Sequence, residues 1–108
     1  MGAADRAGPA GIVTSPPFPH HLAPVNATQA VSSVVRHQWG ETGYRIGYCA
    51  SFVTYEGDEH TTWYVFGIRA GDGSELHLAA SRWEDVREVS WTGVEFTLGA
   101  SCYAQVAS

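Results

Sequence analysis

Five histidines, five tyrosines and two cysteines carry most of the chemistry this chain could perform. His77 stands out among them. It interrupts an apolar run, residues 75–81 (ELHLAAS), where an imidazole would be partly desolvated. Beside Tyr44 or Tyr48, such a group could orient a carbonyl or move a proton. A hydrogen-bonded sheet histidine with no catalytic duty accounts for the same residue more simply. His60 follows Asp58 and Glu59, but no second His or Cys stands at metal-ligand spacing, so this reads as a solvated turn. His20 and His21 lie in a proline-rich stretch that offers no fixed coordination geometry, and His37 suits the end of a helix, where a positive ring complements the dipole. Nothing in the sequence calls for a metal or a cofactor. Cys49 and Cys102 are 53 positions apart and form no C-x-x-C unit; they read as buried, reduced thiols, and a bond between them has no support.

The aromatic residues suggest binding instead. Trp83 stands beside Glu84 and Asp85, and Trp91 beside a tight turn, so both are expected near the surface. Tryptophan and tyrosine at a surface serve as stacking platforms or as anchors of protein interfaces. No H-E-x-x-H, G-x-G-x-x-G, Walker or G-x-S-x-G pattern occurs, which weighs against zincins, dinucleotide enzymes, P-loop NTPases and α/β-hydrolases.

The elements that must position these residues are legible in outline. All five prolines fall within the first 24 residues, so 1–24 is expected to be a flexible leader, with Ile12, Val13, Phe18 and Leu22 able to dock its second half, and 25–108 a single domain. Asn26 followed by Gln29 predicts a helix start with a capping box, and Gly40 its end. Ala27, Ala30, Val31, Val34 and Val35 make one narrow apolar face. Beyond Gly43 the chain reads as strands over 44–55, 61–70, 75–81, 86–91 and 94–106, joined by turns at 56–60, 71–74, 82–85 and 92–93. A two-residue turn centred on Asp72-Gly73 sets Ile68 opposite His77 and Arg69 opposite Leu76. In the last strand Val94, Phe96, Leu98, Ala100, Cys102, Ala104 and Val106 share a face expected to meet the helix.

The expected fold is therefore α+β, one N-terminal helix packed across a curved antiparallel sheet of about five strands. That layout is similar in outline to cystatin-like rolls and NTF2-like domains; no motif carries the likeness, and it implies no function. The 108 residues have six arginines, no lysine and a net charge of −5, a poor match for nucleic acid or anionic lipid. No apolar run is long enough to span a bilayer, and no signal peptide is evident, so a cytoplasmic location is expected.

Both faces of the 63–81 hairpin are apolar, and one helix covers only one of them. The remainder must be sheltered by curling of the sheet, by the leader, or by another molecule. The first functional expectation is a non-catalytic binding module. It would associate through an aromatic sheet face of Tyr64, Phe66, Ile68 and Tyr44, with Trp83 and Trp91, as a homo-oligomer (a homodimer first) or with a protein partner that it inhibits. The second is a small enzyme or carrier. Its pocket, between helix and sheet, would be lined by Tyr44, Tyr48, Tyr64, Phe66 and His77, with His77 and Tyr48 performing acid–base cyclisation or isomerisation of a small hydrophobic compound.

Overall fold

Pro24 decides where the first helix starts. Its extended backbone (φ −58°, ψ 140°) precedes α1, Val25–Trp39, and its carbonyl accepts from the Thr28 amide at 3.1 Å and the Thr28 hydroxyl at 3.2 Å. Asn26, the expected cap, lies inside the first turn, and no side chain caps this end. Proline preorganises the entry without one. Gly40 closes the helix at φ +89°, its amide bonded to the Arg36 carbonyl at 2.8 Å. The buried residues of α1 are Ala27, Ala30, Val31, Val34 and Val35, the face expected from their spacing.

A computed structural model describes residues 13–40, 43–81, 85–92 and 95–107. Besides α1 these contain β1 (Val13–Thr14), a 3-10 turn (His20–Leu22), β2 (Tyr44–Glu56), β3 (Glu59–Ala70), β4 (Glu75–Ala80), β5 (Val86–Trp91), β6 (Phe96–Ser101) and α2 (Tyr103–Ala107). The strands pair antiparallel in sequence order, β1 to β6. The fold is one long helix against an open, curved antiparallel sheet whose five principal strands are β2–β6. The connection at Arg82–Glu84 and the turn residues Gly93 and Val94 lie outside the described residues.

Three local devices change which face each side chain takes. The β3–β4 turn holds three residues. Gly73 donates to the Ala70 carbonyl at 3.0 Å, Ala70 donates to Ser74 at 2.9 Å, and Gly73 has φ +95°. Asp72 locks the turn by accepting from the Ser74 amide and hydroxyl at 2.9 and 2.7 Å. This is the turn-plus-left-handed-glycine hairpin, one residue longer than the two-residue form. Arg69 therefore faces Glu75, Ile68 faces Leu76 and Gly67 faces His77. A one-residue slip moves every β4 side chain to the other face. The second device is a bulge in β2, where Gly47 is extra between Ile46 and Tyr48. The third lies in β6: Arg87 pairs with Ser101 but Val89 with Leu98, so β6 carries one residue more than β5.

Two apolar layers result. Between α1 and the sheet lie Cys49, Phe66, Ile68, Leu78, Ala80, Val86 and Cys102, with Tyr44, Ile46, Tyr64, Leu76, Tyr103 and Val106 at their margin. On the other face lie Phe52, Trp63, Val65, Ala79 and Val89, with Phe96 and Leu98. The last strand thus departs from expectation. It stops at Ser101, Phe96 and Leu98 point away from α1, and of the face expected to meet the helix Cys102 and Val106 reach it, joined by Tyr103.

The Phe52 and Phe96 rings stack with centroids 4.9 Å apart. Their strands are four places apart in the sheet, about 19 Å if it were flat. The sheet must curl strongly toward the face that α1 leaves free, so the helix rides on its outer side. Phe52 also stacks on Trp63 at 6.4 Å, and Phe96 packs on Trp91 at 4.5 Å. Much of the second apolar face is therefore sheltered by the sheet itself. The leader completes the edge: β1 pairs with Val53 and Phe52, and Phe18 exchanges backbone hydrogen bonds with Cys49 at 2.6 and 2.8 Å. Phe18 packs on the helix-side core, whereas Leu22 remains exposed. Free of proline and paired along its length, β2 needs this cover against edge-to-edge association.

Candidate functional site

Tyr48 owes its position to two glycines. The Gly47 bulge turns Tyr48 onto the inner, concave face, while Tyr44 and Ile46 before it and Cys49 after it join the helix side. Bulges commonly re-aim a side chain in this way. Tyr48 then pairs with Gly67, which in turn pairs with His77 on β4. The three residues form a row across three strands. A Cβ at Gly67 would sit 2.2 Å from Cε1 of the Tyr48 ring and 2.7 Å from its hydroxyl oxygen. The ring therefore lies across the bare glycine backbone, and its hydroxyl reaches Nε2 of His77 at 2.7 Å. The ring centroids are 6.1 Å apart.

This pair borders a half-open cavity of about 270 Å³ lined by Ser15, Pro17, Ala50, Val65, Trp91 and Phe96, together with Tyr48 and His77. The walls are chiefly apolar, and Trp91 is 51% exposed. Ser15 is already engaged, its hydroxyl accepting from the Ser51 amide at 3.0 Å and lying 3.1 Å from the Ser51 hydroxyl. Among the described lining side chains, the other polar groups are Tyr48, His77 and the indole N–H of Trp91.

The electrostatics of the row are set by burial and by one carboxylate. Burial first, and the Glu75 charge second, raise the Tyr48 phenol above its ordinary range, so it keeps its proton. Glu75 is held below the usual carboxylate range by its hydrogen bond from Arg69, by the Arg69 charge, and further by His77. Arg69 Nη2 lies 2.8 Å from Glu75 Oε2 in an exposed ion pair. Burial pushes the Cys49 thiol up to about 12, against a weaker opposing hydrogen bond with the Ala50 backbone, and Cys102 is raised too. Both cysteines are free and buried in the helix-side core, which suits inert thiols.

Of the residues singled out from the sequence, the fold brings His77, Tyr48 and Trp91 to one cavity. It separates them from Tyr44, Tyr64, Phe66 and Ile68, which belong to the helix-side layer. Phe66 and Ile68 are almost fully covered by that packing and offer no open face. The cavity at Tyr48 and His77 lies on the side of the sheet away from the helix, because the curl faces away from α1; a separate hollow of about 610 Å³ between Asn26 and Ala27 of α1 and residues 60–64 of β3 holds Tyr64 but neither Tyr48 nor His77. Trp83 lies outside the described residues. His60 is exposed at the β2–β3 turn, against Tyr55 at 5.9 Å. Sequence reasoning missed Gly67, Ala50, Val65, Phe96, Ser15 and Pro17. Only Gly47 left a signal, a glycine inside an otherwise alternating strand.

No family model matches the chain, and neither does any curated protein or solved structure.

Proposed function

We propose that this chain is a binding module for a small, neutral, largely apolar molecule, held in the concave pocket and oriented by the Tyr48–His77 pair. The observation that carries the reading is the phenol–imidazole hydrogen bond, held at 2.7 Å across a bare glycine at the mouth of an aromatic-walled cavity. Specific ligand sites combine mostly apolar walls with a few placed polar groups. The volume limits the ligand. A cavity of ~150 Å³ accommodates benzene, so about 270 Å³ suits one substituted ring or a bicycle. The described lining carries no carboxylate and no guanidinium, so the pocket suits a neutral ligand.

Calorimetry with a panel of neutral mono- and bicyclic aromatic fragments tests this reading. Wild type should bind members of the panel one to one. Ala50→Leu, which fills the cavity from its wall, should lose that binding while its circular dichroism stays native. Equal binding by both proteins, or no binding at millimolar fragment, overturns the reading.

A further inference from the structure

Resting on that reading, we infer that the pocket selects its ligand by hydrogen-bond polarity and that the proton on His77 sets the choice: an N–H or O–H donor when the imidazole is neutral, a carbonyl acceptor when it is charged. The geometry supplies the mechanism. Only one contact joins the two rings, Tyr48 hydroxyl to His77 Nε2. With the proton of the neutral ring on Nδ1, the tautomer that pairs a good phenol donor with a good imidazole acceptor, the Tyr48 proton is directed at Nε2. The phenol oxygen then presents lone pairs to the cavity, and it can satisfy only a ligand that donates. A protonated imidazole has no acceptor, and Nε2–H must donate to the phenol oxygen. The phenol O–H is released toward the cavity and can satisfy only a ligand that accepts.

The ionisable groups around His77 are few. Tyr48 faces it from β2, on which Arg45 shares the same face opposite Arg69; Glu75 shares its face on its own strand and is paired to Arg69 of β3; from β5, Glu88 lines an adjacent hollow and Arg87, paired to Asp85, faces Ala79. Gly67 contributes no side chain from β3. Of these groups, Tyr48 holds its proton and Glu75 its charge through the range about pH 5 to 8 in which imidazoles titrate.

Two bicyclic probes of similar shape separate the cases: indole, whose N–H only donates, and 1-indanone, whose carbonyl only accepts. Their Kd values are measured by protein-observed NMR between about pH 5 and 8, with the His77 ring resonances followed in the same samples. Indole should weaken and 1-indanone tighten as His77 gains its proton, each by about three- to tenfold, the worth of one hydrogen bond. Tyr48→Phe keeps the ring over Gly67 but removes the hydroxyl; both probes should still bind, with their opposite pH trends abolished. If both probes bind wild type with the same pH trend, or the opposite trends survive in Tyr48→Phe, the polarity inference is wrong while the pocket stands. If neither probe binds at any pH, the pocket reading fails and the inference fails with it.

Discussion

Gly67 shows how much rests on a missing side chain. Alanine in a strand interior is ordinarily better than glycine by about 0.5–1 kcal/mol. Here the added methyl would overlap the Tyr48 ring, and overpacking of this kind costs about 1–3 kcal/mol. Gly67→Ala should therefore destabilise, and it should displace Tyr48 from His77. Urea midpoints and the His77 ring resonances read both effects. Removing the ring as well, in Tyr48→Ala/Gly67→Ala, should recover the ordinary alanine preference, giving a strongly non-additive cycle. Cys49 makes a second case. Its folded thiol keeps its proton to about 12, whereas an unfolded thiol releases it near ~8.5. Its contribution to stability is complete below that lower value and is lost as pH rises toward the higher one; Cys102 and Tyr48, also raised, act with the same sign. Denaturant midpoints should fall between about pH 8 and 10, less steeply in Cys49→Ala. Native Cys49 should resist alkylation over the same range.

Among the elements, α1 was the most legible in the sequence, because helical spacing of Ala27, Ala30, Val31, Val34 and Val35 depends on no partner strand. The strands were legible in number and order, but their faces were not. Alternation assigns faces only while the register is regular, and this sheet breaks it three times: at the Gly73 turn, at Gly47 and within β6. Each break moves downstream side chains across the sheet. That is why the sequence sets His77, with Tyr44 or Tyr48, beside Tyr64 and Phe66, whereas the register puts Tyr48 and His77 on the opposite face from Tyr44, Tyr64 and Phe66. The Gly73 turn is also where register is most vulnerable. Its φ of +95° is one that side chains rarely adopt, so Gly73→Ala should cost about 1 kcal/mol or more and weaken amide protection in β4, read by hydrogen exchange. On the helix, Val34 is fully buried, and Val34→Ala should cost about 2 kcal/mol.

At the scale of the whole molecule, the excess of apolar side chains on the central hairpin is absorbed within one chain. α1 covers Phe66 and Ile68, and the curl that brings Phe52 onto Phe96 covers much of the rest. Among the described residues, the large aromatic left most open on the curled face is Trp91, at the cavity. Light scattering should accordingly give the 11.6 kDa monomer; a stable dimer would show that more of this face is open than the curl implies. The most direct test of the central claim is an NMR titration with indole that maps which side chains respond. Val65, His77, Trp91 and Phe96 should shift together and saturate with a single affinity while Val31 and Val34, on the other side of the sheet, stay still. Shifts spread evenly over both layers, or confined to the helix side, would contradict it.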